Sequence, residues 1–263
     1  MGSLLMSGQE GCIMNCRISE HYTNLVLGIP HAVPTPAFGD WRTIPGAREE
    51  AERFTDWATD ELFASDDPRV TAVKARLSRM DCDAERLEDE PDRLCKFVRH
   101  IGADGQFRVP APVRNRCLAA WFSYRADLMC AAAQGDFPLI VDCHSFPSDL
   151  APDVDICIGF NEDASKPAAA TLELVAHIFR DAGYSVAFNR PYSNALAPVG
   201  YIGHSLMIEV NKHTYMNEQT REKSARFNQL QSTIRKVYHA LLKTSKPLTN
   251  DKVGLTTAFS LSA

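Results

Sequence analysis

No run of apolar residues in this 263-residue chain approaches the roughly 18 that a helix needs to cross a bilayer, which sets aside a membrane-spanning role. A basic surplus is missing as well. The 28 Lys and Arg stand against 33 Asp and Glu, and the net charge of −5 argues against nucleic-acid binding, which wants a basic footprint. The opening MGSLLMSGQEGCIMNCRISE has no basic segment ahead of an apolar core, so it reads as a cytoplasmic start and not as a signal peptide. There is no CxxC pair among the eight cysteines, and the lone CxxxC of Cys12 and Cys16 has no second pair to complete a zinc knuckle. Cys130 and Cys157 sit inside apolar periodic segments, so reduced core thiols are expected rather than disulfides. Internal repeats and low-complexity tracts are absent, and so are the HExxH zinc helix and the GxSxG elbow of a serine hydrolase.

What remains is an ordinary globular composition, 45% hydrophobic, long enough for a sizeable core. Short apolar runs predict strands at NLVLGIPH (24–31), RVTAVKARLS (69–78), FPLIVDCHS (137–145), VDICIGFN (154–161), YSVAFNRPYS (184–193) and SLMIEVNK (205–212). Between them, GAREEAERFTDWATDELFASDD predicts one helix with an apolar face on Phe54, Trp57, Ala58 and Leu62. VRNRCLAAWFSYRADLMCAAAQG predicts a second, facing inward through Cys117, Trp121, Tyr124, Leu128 and Ala131. AAATLELVAHIFRDAG predicts a third, stopping at Gly183, and EQTREKSARFNQLQSTIRKVYHALL a long amphipathic terminal one. Strands alternating with helices predict an α/β fold with a mixed, largely parallel central sheet flanked by helices. We divide the chain into an N-terminal extension (1–23), one domain (24–246) and a poorly ordered C-terminal tail (247–263).

Several strands end in residues of catalytic type, and ligand crevices in open α/β sheets lie outside the strands' carboxyl ends. One ends at His31, another at Asp142 and His144, a third at Asn189-Arg190-Pro191-Tyr192. Glu209 stands inside the apolar run LMIEVN, sharing a strand face with Met207. It either points to solvent from a half-exposed strand or serves a site. His31, His144 and a carboxylate would make three protein ligands to a metal such as zinc, with water in the fourth position. Glu209 would then be the base for that water. Asp56, Asp60 and Glu61 all compete for the carboxylate role, and Asp56 and Asp60 share a helical face four residues apart. A solvated acidic face explains them equally well. Arg79 and Arg86 suit a substrate carboxylate or an oxyanion, or else a salt-bridged loop among Glu85, Glu88, Asp89 and Glu90. His177 and His239 read as helix-face or packing histidines, His100, His204 and His213 as surface residues or as supports behind the site, and Cys143 as a buried thiol.

The order of motifs resembles the N-formylglutamate amidohydrolase family from about residue 24 to 218. LVLGIPHAV, TDWATDELF, SRMDCDAER, VDCHSFPSD with VDICIG, NRPYSN and LMIEVNKHTYMNE carry the likeness. The resemblance implies an α/β, zinc-carboxypeptidase-like fold with a mixed eight-stranded sheet. It implies zinc bound by His31, Asp56 and His144, with Asp60 also matching the acidic position, and Glu209 as general base and acid. It places Arg79, Arg86, Asn189 and Tyr192 against the substrate. The sequence departs from the family's usual pattern at Val33, Glu85, Asn194 and Lys212. The function implied is zinc-dependent cleavage of the amide of an N-acyl amino acid. The alternatives are a peptidase or amidase acting on another carboxylate-bearing substrate or small peptide, and a non-catalytic ligand-binding member.

Overall fold

The computed structural model describes residues 22–37, 46–86, 100–101, 107–108, 110–136 and 138–242. The N-terminal extension up to residue 21, the tail after Lys246, the acidic stretch beyond Arg86, and Cys12, Cys16 and Cys95 lie outside the described residues.

Six strands form one sheet. β1 is Asn24–Ile29, β2 Val70–Lys74, β5 Pro138–Phe146, β6 Ile156–Gly159, β7 Val186–Phe188 and β8 His204–Asn211. Their order is β2-β1-β5-β8-β6-β7. All neighbours run parallel except β6 and β8, so the sheet is mixed and largely parallel. Of the eight strands implied by the resemblance, the described residues supply six to this sheet. Two further strands, β3 (His100–Ile101) and β4 (Phe107–Arg108), pair with each other in a separate two-stranded sheet.

The period-2 alternation of the strands assigns each side chain to one of two layers. Leu25, Leu27, Leu139, Val141, Cys143, Leu206, Ile208 and Val210 face one layer, beneath the helices α4 (Ala169–Asp181) and α5 (Phe227–Leu241). Val26 and Ile140 face the other, where Tyr124 and Leu128 of α3 (Ala111–Ala132) cover them. A Cβ on Gly28 would lie 2.9 Å from the Tyr124 hydroxyl, so the bare backbone lets α3 close on β1. Each fully buried aliphatic side chain contributes about 1.5–3 kcal/mol, which makes the two-sided burial of β1, β5 and β8 the main source of stability.

Three expectations change. The helix predicted over residues 46–67 is broken into α1 (Ala47–Phe54) and α2 (Thr59–Leu62). Thr55 is extended and Ala58 is left-handed at φ 55°, so the chain kinks between them. The terminal helix starts at Phe227, not near residue 218. The Asn217 side chain accepts the N–H groups of Gln219 and Thr220, and Arg221 is left-handed, which holds the chain in a turn ahead of the helix. Cys130 is exposed on α3, whereas Cys82, Cys117, Cys143 and Cys157 are buried free thiols.

Candidate active site

The second layer is covered by α3 at one end only. Towards the carboxyl ends of β1, β5 and β8 it opens into a cleft of about 900 Å³ lined by His31, Asp56, Arg79, His144, Tyr192 and Glu209, among others. The strands deliver these residues by alternation. Asp142 and His144 follow Ile140 on the same face of β5, and Met207 and Glu209 share a face of β8. His144 and Glu209 are in register on adjacent strands. Glu209 is 7% exposed, so it does not point to solvent.

The kink between α1 and α2 places the three acidic candidates differently. It turns Asp56 inward, where Asp56 Oδ2 lies 3.1 Å from His144 Nδ1 and 3.6 Å from His31 Nδ1. The Asp56 N–H also donates to the His31 carbonyl at 3.1 Å, tying the kink to the end of β1. Asp60 and Glu61 instead pair at the surface with Lys74 and Lys223. The shared face expected of Asp56 and Asp60 fails because the chain leaves the helix at Thr55 and re-enters it only at Thr59, after the left-handed Ala58.

The outer nitrogens of the imidazoles are held by carboxylates. Asp83 Oδ1 lies 2.8 Å from His31 Nε2, and Glu85 Oε1 and Asp142 Oδ1 lie 2.8 and 3.1 Å from His144 Nε2. Such partners fix ring orientation and raise ligand basicity. Burial disfavours charge on both histidines, but the carboxylates outweigh it and raise both above the ordinary imidazole range. Burial likewise works against the charge on Asp56 and Asp83, yet the neighbouring imidazoles, and Arg79 beside Asp83, hold both well below the usual carboxylate range. Burial pushes Asp142 up to about 6 and Glu209 up to about 8.

Among the described residues, buried His31 Nδ1, Asp56 Oδ1, Asp142 Oδ1 and Glu209 Oε2 have no hydrogen-bond partner. Burying a polar atom unpartnered costs about 1–3 kcal/mol, so their convergence marks a place built for something else. One ligand atom each from His31, Asp56 and His144 lie within 4.8 Å of one another. Two imidazoles and a carboxylate are a donor set suited to zinc, and the orphaned atoms fit a divalent cation there.

The predicted substrate-contact residues separate into three kinds. Arg79 and Arg86 both hydrogen-bond Asp83 Oδ2, at 3.3 and 3.1 Å. Arg79 also donates to the Phe54 carbonyl, whereas the Arg86 side chain is 42% exposed in the cleft wall. Tyr192 lines the cleft. Asn189 does not; its Oδ1 accepts the Phe160 N–H at 3.0 Å and its backbone is left-handed, so it shapes the loop after β7. Sequence reasoning missed Glu85 as a partner of His144, its only signal being the departure from the family pattern at that position. It also missed Arg125, stacked on Trp121 with its carbon Cζ 4.2 Å from the ring centroid, which no periodicity singles out.

Residues 23–216 match the sequence profile of the family described as N-formylglutamate amidohydrolase. None of the curated proteins matches the chain. Among solved structures, it resembles an N-formylglutamate amidohydrolase from Ralstonia eutropha JMP134, at 20% identity and a TM-score of 0.65, over 86% of this chain and 94% of that one. It also resembles a gene product of Agrobacterium tumefaciens, at 18% identity and a TM-score of 0.57, over 87% of this chain and 94% of that one.

Proposed function

Because the chain belongs to the N-formylglutamate amidohydrolase family, we propose that it is a zinc-dependent hydrolase that cleaves the amide of an N-acyl amino acid of the N-formylglutamate type. The observation that carries this reading is the meeting of His31, Asp56 and His144 beside a buried, unpartnered Glu209.

His31, Asp56 and His144 would hold the ion. When bound, zinc supplies Lewis acidity, bringing the pKa of a water down towards about 7 and polarising an amide carbonyl. Asp83 and Glu85 keep the two imidazoles turned inward. Glu209 accepts the proton of the attacking water at its free oxygen and returns it to the nitrogen of the leaving amine. A cation at His31 and His144 favours the ionised form of Glu209, opposing the burial that keeps its proton on. Arg86, engaged among the described residues through its Nε, offers its other N–H groups to the substrate carboxylate, and Tyr192 lines the same cleft. The reduced thiols and acidic composition suit a cytoplasmic setting for this chemistry.

The test is a turnover screen of the zinc-loaded protein against N-acyl amino acids and small peptides, with elemental analysis of the same sample. Stoichiometric zinc and release of the free amino acid are expected. No bound metal, or no hydrolysis of any N-acyl amino acid, sinks the reading.

A further inference from the structure

The kink that presents Asp56 is tied to the His31 carbonyl and to Arg79, and it is also fastened at both ends by side chains from the turn that follows β8. Lys212, 2% exposed, donates its ammonium to the carbonyl of Arg53 at the end of α1. Tyr215, fully buried, lies with its hydroxyl 2.9 Å from the carbonyl oxygen of Trp57 and 3.0 Å from Ser145 Oγ. A phenol has one hydrogen to give. Donated to the Trp57 carbonyl, it leaves the phenol oxygen to accept from Ser145.

Trp57 is the residue after Asp56, and Ser145 is the residue after His144. One hydroxyl therefore spans the two segments whose side chains meet at the candidate metal position. Lys212 fixes the other end of the same kink, three residues ahead of Asp56. Both anchors come from the chain that leaves Glu209, so one short stretch, residues 209–215, carries the base and fastens two ligands.

The local sequence cannot do this alone. Thr55 is extended and Ala58 left-handed, so the Asp56 N–H turns to the His31 carbonyl and the Trp57 N–H to the Thr55 carbonyl instead of continuing the ladder of α1. Burying an ammonium is expensive unless its donors are used, and Lys212 spends one on a helix-end carbonyl, where the helix dipole also favours positive charge.

Resting on the reading that His31, Asp56 and His144 hold a metal, we propose that Lys212 and Tyr215 are positioning residues that set the Asp56 carboxylate against His144 and thereby fix metal affinity and coordination geometry. Neither touches the metal or the substrate.

The test compares the full chain with Y215F, K212M, K212R and S145A. Zinc dissociation constants are measured by chelator competition, the visible spectrum of the cobalt-substituted protein is recorded, and the melting temperature of the metal-free form is taken alongside. Y215F and K212M are expected to weaken zinc binding by about 10–100-fold, the range found for partners of metal ligands, and to alter the cobalt bands. K212R restores affinity to within a few-fold of wild type. S145A leaves Tyr215 in place and carries the same expectation at a smaller size, which keeps the test open if Y215F does not fold. Zinc affinity and cobalt spectra unchanged in Y215F, K212M and S145A overturn the proposal. Wild-type protein that binds no zinc overturns the proposed function beneath it as well, so the two failures are distinct.

Discussion

His144 and Glu209 are register partners on adjacent parallel strands, and their side chains rise from the same face of the sheet. A parallel ladder fixes their spacing through backbone hydrogen bonds, without help from any loop. The imidazole and the carboxylate assigned different chemical tasks are thus the most rigidly related pair in the site.

Replacing Glu209 by Gln separates those tasks. E209Q keeps the side chain's shape and removes the proton acceptor. Turnover is expected to fall by about 10²–10⁴-fold, the usual contribution of a positioned acid or base, with zinc content unchanged by elemental analysis. Undiminished turnover removes Glu209 from the mechanism.

The same residue sets a pH dependence in the metal-free protein. Burial raises the Glu209 carboxyl from 4.5 to about 8, so between those values the folded state holds a proton that the unfolded state has released. Its contribution to stability is present below the lower value and is lost as pH rises through about 8. E209Q has no such proton. Urea unfolding of the chelated proteins is therefore expected to favour E209Q over wild type at pH 9 more than at pH 5, by about 1–3 kcal/mol. Parallel pH profiles for the two proteins contradict this.

Ala58 carries the left-handed residue of the kink at φ 55°. That conformation costs a non-glycine residue about 1–2 kcal/mol, while glycine loses about 0.4–1 kcal/mol through the greater freedom of the unfolded chain. A58G is expected to stabilise the protein by about 0.5–1 kcal/mol, and A58V to destabilise it, both read from denaturant midpoints. A destabilised A58G shows that the kink is not strained.

Arg86 and Asn189 are expected to part company under mutation. R86A removes the half-exposed guanidinium from the cleft wall and should raise KM for an N-acyl amino acid by about 10-fold or more, with a smaller change in kcat. N189A removes the acceptor for the Phe160 N–H and should lower thermal stability. Equal KM effects from both would place Asn189 on the substrate after all.

Most of the sheet was legible, because β1, β5, β6 and β8 are short apolar runs bounded by turn residues. Gly183 ends α4 in a left-handed turn, as its composition indicates. His31, His144 and Glu209 were legible as strand-end polar residues. Asp56 was not separable from Asp60, since the composition of residues 46–67 is helical throughout and tertiary bonds to His31, Lys212, Arg79 and Tyr215 hold it bent. Ser145, beside His144, gave no hint that its hydroxyl meets Tyr215 across 70 positions of sequence. Contacts of that span leave no periodic trace.

β5 and β8 each have a paired strand on both sides. Their amides can exchange with solvent only when the sheet itself opens, so the strand amides around His144 and Glu209 should be among the slowest to exchange deuterium. Adjustment to the shape of a substrate must then come from the flanking walls, residues 79–86 and 192–197, leaving the reacting centre as the still part of the molecule.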